Sequence, residues 1–560
     1  MNVNSLAPER PVSGRLAQDV GALQQRYLPT ATVATLLVML VVGGSAQQGR
    51  LSDAVVELAS LPLLMLVLTG LVARPVGRSL AVLVAISALI LAAPLLQLIP
   101  LPPSVWTTLP GRDVILRAYE AANLALPWQP LSLSPWTTWQ SFYALLPPVA
   151  LLLATVGLPR QDFYRLLGVA VLFGVFSTFL GLAQLSYPTL WLRPYGFAYF
   201  DEAVGLFPWR NGYSALLYSL IPFSLAAVFI ALWRQGERLR LAHVGLALTA
   251  TLLLALGVLM ARSRAGFLLG FLSIGAMLCI GLITGPQRPP RIRLVGVFAI
   301  ALLAVLGLLQ IAFSRVASRL TTSLADDLRW PMAETTLEAI RHLFPFGSGF
   351  GSFVRTFQIY ETDSTLLPQI INHAHNDYLE LLMEGGALTL IVAVPVLLLL
   401  VVTIYRVVFR YPAPVDLADR LLARASILVV LGLMVHSTLD YPLRAHANMA
   451  VLVLALAALM RPALGLAPPE EPWLTASGEA TPRKRRRHKS RSAPSLLSRL
   501  LSPAPTRRSS RRRSSSKGSS GSSGGSGTGS SERRRRRRSS EHEEPAPRSP
   551  DQDETPPTSS

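Results

Sequence analysis

The sequence predicts an all-α integral membrane protein of about twelve transmembrane helices, with a long helical loop on one side and a basic C-terminal tail. Three observations predict it. Apolar residues make up 51% of the 560 and charged residues only 15%, with a mean hydropathy of +0.42, too apolar for a water-soluble domain of this length. The apolar residues gather in runs of about twenty, the length that crosses roughly 30 Å of hydrocarbon as a helix. The positive charge is unevenly placed: residues 471–560 hold 21 Lys and Arg against 9 Asp and Glu, more than half of the net +20. The rest lies mostly in short connections between apolar runs, where it marks topology and is not a nucleic-acid footprint.

Taken in order, spans are expected near 31–48, 54–73, 80–100, 141–158, 165–185 and 213–233, and then near 241–261, 265–285, 294–313, 386–405, 421–439 and 445–461. An even number puts both termini on one side. The first thirty residues are polar and no small-residue cleavage site follows the first run, so that run reads as a retained signal anchor behind a short segment, residues 1–30. Cys279 is the single cysteine and lies in an apolar run, which leaves no disulfide or cysteine metal cluster to build.

Orientation comes from the short connections. Arg74 and Arg78, Arg160 and Arg165, Arg234, Arg238 and Arg240, Arg288, Arg291 and Arg293, and Arg406, Arg410, Arg420 and Arg424 fall in alternate loops. The positive-inside rule makes those loops, and both termini, cytoplasmic. The outer side then receives connections near 101–140, 186–212 and 314–385, too long for simple turns and the expected place of a site. They carry Trp106, Trp128, Trp136, Trp139, Trp191 and Trp209, which suit an aromatic belt at the headgroups or stacking on sugar rings. The membrane domain is expected over 31–463. Beyond it, 464–560 is Ser/Gly-rich with arginine runs at 485–487 and 533–538, a composition that cannot bury a core and is expected to be disordered. A basic tail beside a last membrane helix suits anionic lipid headgroups.

Three polar clusters stand out. Residues 373–386 (HAHNDYLELLMEGG) close the largest outer loop just before an apolar run. On a helix, His373, Asn376, Asp377 and Glu380 recur at three- and four-residue spacing, and Asn376, Glu380 and Glu384 mark one stripe. Ionisable groups so close to lipid need partners and point to function or to a structural hydrogen-bond network. Residues 261–266 (ARSRAG) put Arg262 and Arg264 on the outer side, where topology does not explain them. They suit either snorkelling to lipid phosphate or bidentate contact with a bound diphosphate. Residues 326–340 read as an amphipathic helix with Arg329 at its head and Pro331 in its first turn, followed by a glycine-rich, flexible turn at 347–351.

These pieces, in this order on this topology, resemble the O-antigen ligase and O-antigen polymerase family of bacterial membrane glycosyltransferases. His375, Asn376, Gly386 and Thr389 meet the family's pattern of His, then Asn, nine residues, Gly, two residues and Thr. Ser263-Arg264-Ala265-Gly266 looks like its first essential arginine, and Arg329 with Trp330 like its second. The stretch from His436 to Asn448, with Asp440 and Pro442, resembles its closing helix pair. The resemblance covers roughly residues 200–460 and implies a GT-C-like membrane fold in the bacterial cytoplasmic membrane. It implies an inverting, metal-independent transfer in which an undecaprenyl-diphosphate-linked glycan places its diphosphate against Arg264 and Arg329 while His375 handles the acceptor hydroxyl proton. The acceptor is a second glycan, a lipid A core or a protein side chain, and no cofactor is implied.

Some assignments stay open on sequence alone. Arg262 competes with Arg264, and His373 with His375. Arg210 and Asn211, together with Arg262, His373, Asn376, Glu380 and Glu384, are candidate substrate-binding residues. A metal at Asp201 and Glu202 lacks an accompanying histidine or repeated Asp-x-Asp pattern. Two other classes compete: a transporter, although no inverted repeat or broken mid-membrane helix pair is visible, and a scaffold acting through its basic tail.

Overall fold

The computed structural model describes residues 12–47, 49–73, 76–196, 201–233, 240–284, 329–363, 365–366, 370–410 and 416–465. The expected span at 294–313, the tail beyond 465, residues 1–11, and Arg74, Arg234, Arg238, Arg288, Arg291 and Arg293 lie outside them.

The chain folds as an all-α membrane protein. Its long helices are α1 (Val12–Val42), α2 (Leu51–Ala73), α3 (Arg78–Leu96), α6 (Pro135–Gly157), α7 (Arg160–Ser186), α8 (Arg210–Trp233), α9 (Arg240–Met260) and α10 (Arg264–Thr284), then α14 (Ala387–Phe409), α15 (Leu417–His436) and α16 (His446–Leu464). Among the described residues, ten of these are long and apolar enough to cross a membrane. The other, α15, carries Asp419, Arg420 and Arg424 near its start. α1 begins at Val12, so residues 12–30, expected to precede the first span, continue into it as one helix.

Composition sorts the helices. The apolar window of α8 is 83% buried, that of α14 only 11%. α8 is apolar all round, as a central helix must be, and α16 is rich in alanines that let neighbours approach closely. Thus α8 and α16 sit at the centre. α14 turns Leu390, Ile391, Val394, Leu398 and Val401 outward, an apolar surface that only lipid satisfies.

One end of the bundle is tied by hydrogen bonds between distant connections. Ala447 N–H donates to Gly43 O (2.9 Å), Ala203 N–H to Met260 O (3.1 Å) and Asp377 N–H to Ser437 O (2.9 Å). Gln97 Nε2 donates to Glu384 O (3.0 Å). The opposite end gathers arginines: Arg160 pairs with Asp416 and with Asp419 (3.3 Å), and Arg461 Nη1 donates to the carbonyls of Thr155 (2.8 Å) and Leu158 (2.7 Å).

A small cap covers the first end. It contains α4 (Pro103–Trp106), α5 (Asp113–Ala121), α11 (Arg329–Leu343), α12 (Phe353–Tyr360) and α13 (Asp377–Gly385). An antiparallel pair of two-residue strands, β1 (Pro100–Leu101) and β2 (Gln129–Pro130), joins them. Met332, Leu343, Phe353, Phe357, Ala374 and Met383 form its own core. The turn at 347–351, expected to be flexible, is pinned: Ser348 and Gly349 donate their N–H groups to Met383 O (3.1 Å) and Glu384 O (2.8 Å), capping the C-terminus of α13. Gly347 and Gly349 have φ of +73° and +106°, and a Cβ on Gly347 would lie 2.4 Å from Glu384 O, which explains the glycine there.

Candidate active site

The stretch 373–376 is not part of a helix. α13 starts at Asp377, and Asn376 is its N-cap, with Oδ1 accepting from Tyr378 N–H (3.0 Å) and Leu379 N–H (3.1 Å). His375, just outside, has φ +50°, a left-handed conformation that costs an L-residue about 1–2 kcal/mol. Its neighbours fix it there. Glu380 Oε2 accepts from Ala374 N–H (2.9 Å), and Asp377 N–H is bonded to Ser437 O.

The result aims His375 at the connection between α15 and α16. Its Nδ1 lies 3.0 Å from Asp440 Oδ1, with the imidazole 28% and the carboxylate 1% exposed. Trp209 Nε1 donates to Asp440 Oδ2 (3.2 Å), and the Asn211 side chain is hydrogen-bonded to the same carboxylate. Burial pushes the Asp440 carboxyl upward, but the hydrogen bond and charge of His375 outweigh it and hold the group at about 2. A carboxylate fixed as the anion keeps a proton on Nδ1 and leaves Nε2 as the lone pair available for chemistry.

Tyr441 forms the floor. Trp209 stacks on it (5.3 Å between centroids, 27°), His373 lies at 4.2 Å, and His375 meets it edge-on at 5.0 Å and 64°.

The motif at 261–266 joins this site through Asn211. Ser263 Oγ donates to Asn211 Oδ1 (2.8 Å) and accepts from Gly266 N–H (3.1 Å), capping α10. A Cβ on Gly266 would lie 2.3 Å from Ser214 Oγ, so the glycine lets α10 approach α8. Arg264, the first residue of α10, is exposed at the positive end of that helix. Arg329 heads α11 and is half-buried, and its charge acts on both His436 and Tyr441. Arg262 pairs with Asp201, and Arg210 pairs with Glu202. Among the described residues no group of three or more His, Cys, Asp and Glu is placed to hold a metal.

The other candidates form a second cluster. His373 Nδ1 donates to Glu380 Oε1 (2.8 Å) and Nε2 to Ala46 O (3.0 Å). Both partners are acceptors, so the ring is an imidazolium. Burial alone would lower its pKa, but the Glu380 carboxylate raises it. Arg444, which sequence reasoning did not single out, lies among three carboxylates: Asp377 (3.4 Å), Glu380 (3.1 Å) and Glu384 (3.5 Å). Burial opposes ionisation of Glu380, yet the Arg444 and His373 charges hold its pKa low. Burial pushes Asp377 up to about 6, partly offset by Arg444, and pushes Glu384 up as well. Thus His373, Glu380 and Glu384 belong to an internal ion cluster, and His375 alone of the two histidines faces Asp440.

The chain is thus a polytopic helical bundle with a His–Asp pair and arginine-headed helices at one capped end. Residues 249–394, about a quarter of the chain, match the family model described as O-Antigen ligase, and this bears out the resemblance to the O-antigen ligase and polymerase family. The match supports glycosyl transfer of that general type. It includes Arg264, Arg329 and His375, whereas Asp440 and Arg444 lie beyond it. No curated protein matches the chain.

Proposed function

We propose that the protein transfers a glycan from an undecaprenyl-diphosphate carrier to an acceptor hydroxyl at the outer face of the bacterial cytoplasmic membrane, with inversion and without a metal. The arginine-rich end and both termini are then cytoplasmic, as the positive-inside rule requires. The observation that carries the reading is the His375–Asp440 pair, which leaves Nε2 of an oriented imidazole at the capped end.

In this reaction the acceptor oxygen attacks the anomeric carbon as its proton passes to His375 Nε2. The carbon–oxygen bond to the diphosphate breaks, and undecaprenyl diphosphate departs with the electron pair. Arg264 and Arg329 neutralise the charge growing on the leaving group, the task a divalent ion performs in other phosphoryl-linked chemistry. Asn211 and Trp209 hold Asp440, and Asn376 positions the helix that follows His375. A second glycan, a lipid A core and a hydroxyl-bearing protein side chain all present the same nucleophile, a hydroxyl.

The test is transfer from purified undecaprenyl-diphosphate glycan in proteoliposomes containing EDTA. Wild type releases undecaprenyl diphosphate and folded His375→Ala does not. Equal rates for the two would overturn the assignment, and deletion of residues 475–560 is expected to leave transfer intact, against a scaffold acting through the tail.

A further inference from the structure

The connection between α3 and α6 leaves an apolar face uncovered. It departs through β1 and returns through β2, beside the ends of two membrane-crossing helices, Arg78–Gln97 and Pro135–Gly157. Between the two strands lie α4, α5 and residues 122–128. The inner side of this hairpin is packed. Trp106 is 1% exposed, donates from Nε1 to Pro127 O (2.9 Å) and lies 6.4 Å from the Tyr119 ring.

Residue spacing gives α5 three faces. Ile115 and Tyr119 belong to the packed side and are half-buried. Asp113, Arg117 and Glu120 make an exposed charged face, on which Arg117 and Asp113 pair at 2.9 Å. Val114, Ala118 and Ala121 make a third face, roughly a quarter-turn further round the helix, and they too are exposed. That apolar face runs on into residues 121–128 (AANLALPW), which carry no charge and leave Leu124 61% and Trp128 65% exposed.

What covers this face follows from what it continues. Leu96 at the end of α3, Ile99 just beyond it, and Trp136, Trp139 and Tyr143 on α6 are all exposed where two membrane-crossing helices reach one end of the bundle, so lipid is the solvent on both sides of the hairpin's base. The backbone of 122–128 is irregular and needs hydrogen-bond partners that hydrocarbon lacks, which sets its level at the headgroups, where tryptophan is favoured. A helix with an apolar face beside a charged one is the form that lies in that plane.

We propose that α5 and residues 122–128 are an interfacial anchor of the cap, with Val114, Leu124 and Trp128 seated in the headgroup boundary of the adjoining leaflet and Arg117 turned to water. The partner is the phospholipid surface itself. This does not rest on the glycan-transfer reading, because it uses only the membrane spans and the exposed faces of the hairpin.

The experiment uses the full chain with Cys279→Ser, which removes the single cysteine, and a nitroxide on Val114→Cys, Leu124→Cys or Arg117→Cys in phosphatidylcholine and phosphatidylglycerol vesicles. The ratio of oxygen to water-soluble nickel collisions at Val114→Cys and Leu124→Cys is expected to exceed that at Arg117→Cys about threefold or more, as suits a face about 5–10 Å inside the boundary. In the unsubstituted chain, a phosphatidylcholine with a diazirine near its headgroup should label residues 114–128. Equal collision ratios at the three positions would overturn the proposal, as would labelling of α14 without labelling of 114–128. Spin–spin broadening at Leu124→Cys that disappears on dilution with unlabelled protein would overturn it too, by showing that a second copy covers the face.

Discussion

The Nδ1 of His375 lies 3.0 Å from Oδ1 of Asp440, across 65 residues of sequence. Because the carboxylate is buried and also bonded by Trp209 and Asn211, it fixes both the tautomer and the direction of the ring. Asp440→Asn presents an amide that can donate to Nδ1 and drive the proton to Nε2, which then no longer serves as a base. The transfer rate is expected to fall about 10²–10⁴-fold, the usual worth of general acid–base catalysis, with KM changed only a few-fold. Initial rates in proteoliposomes measure this. The Asp440→Asn/His375→Ala double variant should be no slower than His375→Ala, because the two residues act as a unit; additive losses would show them acting separately.

Arg264 and Arg329 head two helices, α10 and α11, from different parts of the chain. If both neutralise the leaving diphosphate, Arg264→Ala and Arg329→Ala should each lower kcat about 10²–10³-fold, as loss of a charge-stabilising donor does. Lysine at either position restores charge without the planar fork, so partial recovery is expected. Full activity of either alanine variant would remove that arginine from the reaction.

Much of this arrangement was legible in the sequence, for identifiable reasons. The apolar runs at 141–158 and 213–233 became α6 and α8, since lipid leaves the backbone no alternative to a helix. The motif around His375 was legible because its spacing is local. The three- and four-residue stripe of Asn376, Glu380 and Glu384 correctly announced a helix with a polar face, but a stripe does not say what lies opposite. Asn376 proved to be a cap, and the two glutamates meet Arg444, which is 60 residues beyond Glu384. The signal for Arg444 was available: it is an arginine on the side that topology leaves poor in positive charge, the same argument that picked out Arg262 and Arg264. That Arg262 pairs with Asp201 needed the three-dimensional arrangement.

Arg444 is the cation that makes three buried carboxyl groups tolerable. Removing one partner of a buried charged cluster typically costs about 3–5 kcal/mol, because the remaining charges are uncompensated. Arg444→Met should therefore lower thermal stability sharply, and adding Glu384→Gln and Asp377→Asn to it should recover part of the loss. Thermal unfolding in detergent checks both. A variant as stable as wild type would mean that the cluster contributes nothing to the fold.

Asp377 gives the cluster a pH dependence whose sign can be worked out. Its carboxyl is raised from 3.8 to about 6 by burial, so between those values the folded protein binds more protons at this site than the unfolded chain. Its contribution to stability is then fully present below about 3.8 and is lost as pH rises through about 6. Asp377→Asn keeps the shape, with Oδ1 able to face Arg444 and Nδ2 able to donate to Ser437 Oγ, whose bond to Asp377 Oδ2 is 2.8 Å. The variant does not titrate, so its stability relative to wild type should improve as pH rises from 4 to 6.5, by on the order of 2 kcal/mol, and level off above. Melting temperatures of both proteins in one detergent across that range measure the difference directly. A difference that stays flat, or that moves the opposite way, would show that Asp377 is ionised throughout and that the Arg444 charge outweighs burial at this position.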